Sequence, residues 1–294
     1  LKVRSYAKVN LSLLITGRDE KDGYHFIDSL FDPVSLYDVL DIKRAKPGVI
    51  SVIDVKSALN IPPEKNIVYK AAVKFFEAAK LTGKAGAIIK LTKNIPNAAG
   101  RGGGSSNAAA VLLALNRMFK AGLSQKKLHS IAFQLGSDVP FFIYGKTARV
   151  RGKGEKISFI KRKKRFWYVL LCLPVHVSTQ EAYKILDDYT GQNHLTQIKY
   201  ADILITEMIK GWQIKKRGAK RILHNDFEKP VFSSYPELKK AKDALIKYNC
   251  IDAQLSGSGA TVFGLFKSQK EALECAKGVR REFPAGFVKA VHSV

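Results

Sequence analysis

Residues 94–116 read NIPNAAGRGGGSSNAAAVLLALN, a glycine-rich loop that runs directly into a helical pattern. Gly100, Gly102, Gly103 and Gly104 leave a stretch almost bare of side chains, where backbone N–H groups can turn toward an oxyanion. Ser105 and Ser106 are good helix-starting residues, and Val111, Leu112, Leu115, Met118 and Phe119 recur at helical spacing behind them. The pattern predicts a loop seated on a helix N-terminus, where the positive pole of the dipole and unpaired N–H donors favour phosphate. A flexible surface loop is the plain alternative on composition, and the apolar stripe behind the loop argues against it.

Two better-known phosphate loops are excluded. The one Gly-Lys-Thr, at Gly145 to Thr147, has Pro140 where a Walker A loop needs its leading glycine. Counted from Gly100, the dinucleotide pattern G-x-G-x-x-G ends on Ser105.

The 294 residues suffice for one large or two medium domains, and 46% apolar with 26% charged residues is the composition of an ordinary globular chain. Cys172, Cys250 and Cys275 are odd in number, widely spaced and without metal-ligand spacing, so reduced thiols in a cytoplasmic protein are expected. Fifty Lys and Arg against 25 Asp and Glu give a net charge of +25, which attracts polyanions without a specific site. The basic clusters (Lys161 to Arg165, Lys215 to Arg217, Lys220 with Arg221, Arg280 with Arg281) lack interleaved aromatics and any nucleic-acid module signature. A basic surface on an enzyme of anionic substrates is therefore favoured over a specific nucleic-acid binder. Asn10 and Ser12 break the only early apolar run, so no signal peptide is expected, and no stretch reaches the length of a membrane span. The sequence starts at Leu1 without a methionine, which leaves room for a few preceding residues or an unusual start.

Elsewhere the periodicities are clear. From Val3 to Ile15 apolar residues alternate with Lys2, Arg4, Lys8, Asn10 and Ser12, so Lys8 and Asn10 are expected on one face of a strand. Gly17 to His25 reads as a polar turn, and Phe26 to Ile42 as a strand interrupted at Pro33. A helix is expected from Asn66, a strand over 87–92, and a helix from Ser124 to Gly136 followed by Asp138 at a chain reversal beside an apolar wall. A hairpin turns at Gly152 to Gly154, and a boundary near residue 161 divides the chain into 1–160 and 161–294. Beyond it come a buried strand from Trp167 to Leu173 and a helix opened by Ser178 and Glu181. Helices are expected over 201–209, 236–248 and 269–282, with two strands and a second glycine turn from Gln254 to Phe266.

Taken together, AKVNLSLLITGR from Ala7, DGYH from Asp22, IPNAAGRGGGSSNAA from Ile95, LGSDVPFF from Leu135, HNDFE from His224 and LSGSGATVF from Leu255 resemble the ordered motifs of the GHMP small-molecule kinases. The resemblance implies an α+β fold of two domains with the active site in the cleft between them. It implies ATP as co-substrate, accompanied by Mg²⁺, and, from DGYH and the paired Lys8 and Asp138, a diphosphocytidyl sugar alcohol as acceptor. Asp138 would accept the hydroxyl proton, while Lys8 would hold that carboxylate ionised and help neutralise the moving phosphoryl group.

By the same resemblance Pro96, Asn97, Ala98, Ala99, Gly100, Arg101, Gly102, Gly103, Gly104, Ser105 and Ser106 wrap the ATP phosphates, and Asn66 and Lys93 lie near the adenine. Asn10, Tyr24, His25, Thr179 and Tyr183 match the diphosphocytidyl end, where Tyr24 and Tyr183 are placed to sandwich the cytosine. Arg101 stands where the family usually has an aliphatic residue, and it is expected to extend into solvent rather than to add a phosphate contact. Ser105 and Ser106 are open to two readings, metal-side hydroxyls or helix caps. No protein metal ligand is assigned, and neither a nucleic-acid nor a membrane partner is expected. Other GHMP kinases, for homoserine, mevalonate or phosphomevalonate, are the rival readings, beside a basic nucleic-acid-binding protein that keeps the fold without the chemistry.

Overall fold

The structure, a computed structural model, describes residues 1–55, 62–96, 100–191, 202–203, 205–206 and 222–294. The expected helix over 201–209 lies largely outside the described residues, as do the basic clusters at 215–217 and 220–221. By contacts the chain forms two compact units that alternate along the sequence. One contains Leu1–Ala7, Leu36–Asn97 and Gly102–Gly145; the other contains Lys8–Ser35, Ala98–Arg101 and Lys146–Val294.

Two long strands, β1 (Lys2–Arg18) and β2 (His25–Ala45), each contribute residues to both units. In the first unit, β3 (Ile50–Asp54) runs parallel to β4 (Gly86–Thr92), with Val52 opposite Ile89. β4 in turn pairs antiparallel with the second half of β2, Ile89 opposite Ile42. This sheet is accompanied by α1 (Ile67–Ala78), α2 (Gly103–Met118), α3 (Gln125–Leu135) and α4 (Val139–Tyr144). The side chains of Asn66 and Ser124 cap α1 and α3 by accepting from Val68 N and Lys127 N at 3.0 and 3.2 Å. Val68, Ala71, Ala72, Phe75 and Phe76 bury one face of α1, where Phe76 meets Phe119 edge to face.

In the second unit, the first half of β2 pairs with β5 (Ala148–Gly152), and β5 pairs with β6 (Lys156–Phe159) through the expected hairpin. β1 lies parallel to β8 (His224–Asn225), with Ser12 opposite His224. A second sheet has the order β11 (Phe287–His292), β7 (Trp167–Cys172), β10 (Thr261–Phe266), β9 (Asp252–Ser256). Its apolar residues are buried among those of α5 (Thr179–Thr190), α6 (Glu228–Ser234), α7 (Pro236–Lys247) and α8 (Gln269–Glu282). Ser178 caps α5, accepting from Glu181 N at 3.1 Å.

Pro33 does not interrupt β2. The strand pairs with β5 over Ile27–Phe31 and with β4 over Val39–Ala45, so proline falls between the two ladders, where no N–H is required of it. The three cysteines are free thiols and buried. Among the described residues no helix is long and apolar enough to cross a membrane.

Candidate active site

The glycine loop does deliver the chain to a helix N-terminus, two residues earlier than the serines imply. Gly102, left-handed at φ 64°, is the N-cap of α2, and no side chain caps it. Ser105 and Ser106 therefore sit inside the first turn and are not its caps. The N–H groups of the first turn have no intrahelical acceptor, which is the property that makes such an end an anion site. Gly100 is left-handed as well, and a Cβ there would stand 2.2 Å from the carbonyl oxygen of Ser256. Gly100 thus lies directly against the second glycine turn, at a distance only glycine permits.

Arg101 does not extend into solvent. It is 1% exposed, and its guanidinium carbon lies 5.4 Å from the centre of the Phe287 ring. Its carbonyl accepts from Lys8 N at 3.2 Å, so the backbone bond to β1 carries the residue inward and the aromatic face receives the cation. Pro96 is half-buried at the loop's entry, while Asn97, Ala98 and Ala99 lie outside the described residues.

Lys93, at the end of β4, places its Nζ 2.5 Å from Oδ2 of Asp38, a fully buried carboxylate on β2. Asp38 also accepts from Asn94 N at 2.6 Å, Ile95 N at 2.8 Å and Asn107 Nδ2 at 2.9 Å. Sequence reasoning passed over Asp38 because it is an ordinary acid within a strand pattern. Its only local signal is a carboxylate at a position that the surrounding burial demands be partnered. Asn66, for its part, is the α1 cap already described.

From Lys8 onward the polar face of β1 is as buried as the apolar one, although Lys2 and Arg4 are exposed: Lys8 is 3%, Asn10 1% and Ser12 0% exposed. Lys8 Nζ donates to Asn10 Oδ1 at 2.6 Å and lies 4.5 Å from the centre of the Phe31 ring. Asn10 Nδ2 donates to Ser29 Oγ at 3.0 Å, and that hydroxyl donates to Ser12 O at 2.5 Å. A surface-strand lysine is excluded. Burying an ammonium is costly unless it is held by a partner, and the chain of hydrogen bonds fixes where this one points.

Asp138 is half-buried at the N-cap of α4, and its side chain makes no capping bond to that helix. Val139, Pro140, Phe141, Phe142 and Ile143 form the expected apolar wall immediately after it. Helix capping therefore does not account for this carboxylate.

The residues matched to the cytidyl end all fall in the second unit. His25 stacks on Tyr183, with centroids 4.5 Å apart and planes at 20°, and His25 Nε2 lies 2.8 Å from Asp187 Oδ1. Tyr183 also meets Phe227 edge to face at 4.9 Å. Tyr24 is 58% exposed on a turn held by Lys153, whose ammonium reaches Asp19 and Asp22 at 2.7 and 2.6 Å. Those hydrogen bonds hold both carboxyls below their usual range, and Asp22 accepts in addition from Tyr24 N. Thr179 Oγ1 is 3.4 Å from Ser258 Oγ, which joins the start of α5 to the second glycine turn.

Residues 66–146 match the model of the GHMP kinases N-terminal domain, and residues 210–285 that of the GHMP kinases C-terminal domain. A protein of Clostridioides difficile (strain 630) named 4-diphosphocytidyl-2-C-methyl-D-erythritol kinase is 38% identical over 290 residues, which is 98% of this chain and 94% of the relative. This chain belongs to the 4-diphosphocytidyl-2-C-methyl-D-erythritol kinase family. A member from Neisseria gonorrhoeae (strain NCCP11945) is 40% identical over 267 residues, 90% of this chain and 86% of its own. A solved 4-(cytidine 5′-diphospho)-2C-methyl-D-erythritol kinase is 30% identical and superposes over 100% of both chains with a TM-score of 0.81. The α+β architecture expected from the motifs is thus that of the GHMP kinases, within the diphosphocytidyl-methylerythritol kinase branch.

Proposed function

We propose that this chain transfers the γ-phosphate of ATP to the 2-hydroxyl of 4-diphosphocytidyl-2-C-methyl-D-erythritol, a step of the non-mevalonate route to isoprenoid precursors. The observation that carries this reading is the extent of the match, 98% of this chain against a relative named for that kinase. It takes in the half that carries Thr179 and Tyr183 as well as the glycine loop, and so reaches beyond the phosphate-holding part.

In this reading the uncapped start of α2 and the glycine loop receive the donor phosphates. Asp138 takes the proton of the acceptor hydroxyl as its oxygen bonds to the γ-phosphorus, and the bond to the β-phosphate oxygen breaks to release ADP. Lys8 supplies positive charge to the transferring group. Tyr24, His25, Asn10, Thr179 and Tyr183 hold the cytidyl end, and Asn66 and Lys93 the adenine. Among the described residues no cluster of three His, Cys, Asp or Glu could cage a metal. Where Mg²⁺ accompanies the nucleotide, Ser105 and Ser106 are the oxygens that α2 would offer it. When bound, the ion neutralises charge on the phosphates. The reaction takes place in the cytoplasm, on small water-soluble substrates.

A phosphoryl-transfer assay with ATP and a panel of diphosphocytidyl, mevalonate and homoserine acceptors tests the reading. Turnover confined to the diphosphocytidyl acceptor is expected. Turnover of another acceptor without it would overturn the substrate assignment.

A further inference from the structure

We propose that Asp38 is a positioning residue for the nucleotide, acting through the glycine loop whose two ends it ties together. The β2–β4 ladder runs out at Val39 opposite Thr92. One residue further on, where the chain leaves the sheet, the Asp38 carboxylate takes over from the ladder by accepting from Asn94 N and Ile95 N. Its other oxygen accepts from Lys93 Nζ and from Asn107 Nδ2, and Asn107 belongs to the second turn of α2. Asn107 is itself held, since its Oδ1 accepts from Ser5 Oγ.

One fully buried carboxylate therefore binds the residues just before the loop and the helix just after it. The two ends also touch: a Cβ on Gly103 would stand 3.0 Å from Ile95 Cγ2 and 3.3 Å from Lys93 Nζ. Four donors converge on Asp38, which fixes its orientation and thereby the span the loop must bridge. Because phosphoryl transfer depends on placing the donor, an error in that span is felt in nucleotide binding before it is felt elsewhere. Asp38 touches no substrate in this account.

The proposal rests on the reading that the loop holds ATP, and steady-state kinetics with ATP-analogue binding separates the two. In Asp38→Asn the amide cannot accept from both Lys93 and Asn107, and the KM for ATP is expected to rise about tenfold or more, with the acceptor KM unchanged. A merely structural role would lower the melting temperature and the active fraction while leaving both KM values in place, and would overturn the proposal, as would equal rises in both. Asn107→Ala, which cuts only the helix-side tie, carries the same expectation if Asp38→Asn does not fold, and an unchanged ATP KM there overturns it too. Failure of the parent protein to bind the ATP analogue would instead overturn the nucleotide reading of the loop, and this proposal with it.

Discussion

The ammonium of Lys8 donates to the side-chain oxygen of Asn10 two residues along the same strand face, at 2.6 Å, in a part of β1 where neither residue is more than 3% exposed. Their period-two spacing makes the contact, and Phe31 closes the other side of the cation. Lys8→Met keeps an apolar stem and removes the ammonium, and with it both the charge and the hydrogen bond to Asn10 Oδ1. The turnover number is expected to fall on the order of a hundredfold or more, with a loss of about 1–3 kcal/mol in stability from the buried Asn10 oxygen that loses its donor. Rapid-quench measurement of the transfer step checks it, and parent-like rates would remove Lys8 from the chemistry.

Asp138→Asn preserves shape at the start of α4, and the wild-type side chain makes no capping bond to be lost. Turnover should drop by roughly two to four orders of magnitude while ATP affinity stays close to that of the parent, as the proposed role of Asp138 as proton acceptor requires. Calorimetric titration of ATP beside the kinetic assay separates the two effects.

Gly100→Ala places a methyl group 2.2 Å from the Ser256 carbonyl, on a residue with φ of 65°. Both the backbone conformation and the overlap oppose it, so a loss of roughly 1–3 kcal/mol is expected, together with a raised KM for ATP. Denaturant unfolding read alongside kinetics tests this, and an unaltered midpoint would show that the turn moves aside freely.

Burial pushes the thiols of Cys250 and Cys275 up to about 12. At mildly alkaline pH neither is a thiolate in the folded protein, so neither should react with a disulfide reagent until the chain is unfolded in urea. Prompt native labelling at either position, mapped by mass spectrometry, would contradict the packing around them.

Asp32 is fully buried beneath the hydroxyls of Thr147 and Tyr168, at 2.5 and 2.6 Å. Burial raises its pKa against the opposing pull of Arg162 and of those two donors. A carboxyl that binds its proton more tightly when folded contributes stability below the ordinary carboxylate range, and that stability is lost as pH rises through the raised value. Asp32→Asn is neutral throughout. The difference in unfolding free energy between variant and parent should therefore shift in the variant's favour from about pH 3 to pH 7. A difference independent of pH, by urea titration, would refute it.

Much of this was legible in the sequence because it was periodic or local. Alternation along β1 placed Lys8 beside Asn10, helical spacing placed α2 behind its loop, and Ser124 and Ser178 marked their helices. Arg101 was misread because a guanidinium in a glycine loop has no local reason to turn inward, and Phe287 lies far along the chain. The serines were assigned the helix start because side-chain capping is what a sequence displays, whereas Gly102 starts α2 by backbone conformation alone. Pro33 looked like a break because the change of pairing partner around it is a property of the sheet. Asp38 stayed invisible for the same reason: its four donors lie at residues 93, 94, 95 and 107, beyond the reach of any local window.

The parallel partner of β1 is β8, with Ser12 opposite His224 and Leu13 opposite Asn225. During synthesis, the strand that carries Lys8 leaves the ribosome long before the residues that complete its edge. At ordinary translation rates that interval is on the order of ten to forty seconds. For that time Ser12 and Leu13, on the edge of β1 away from β2, lack their ladder partners, the condition under which edges recruit other chains. The arrival of residues 224 and 225 thus closes this part of the β1 edge late in synthesis, and chaperone demand should be higher on nascent chains that have not yet reached residue 225.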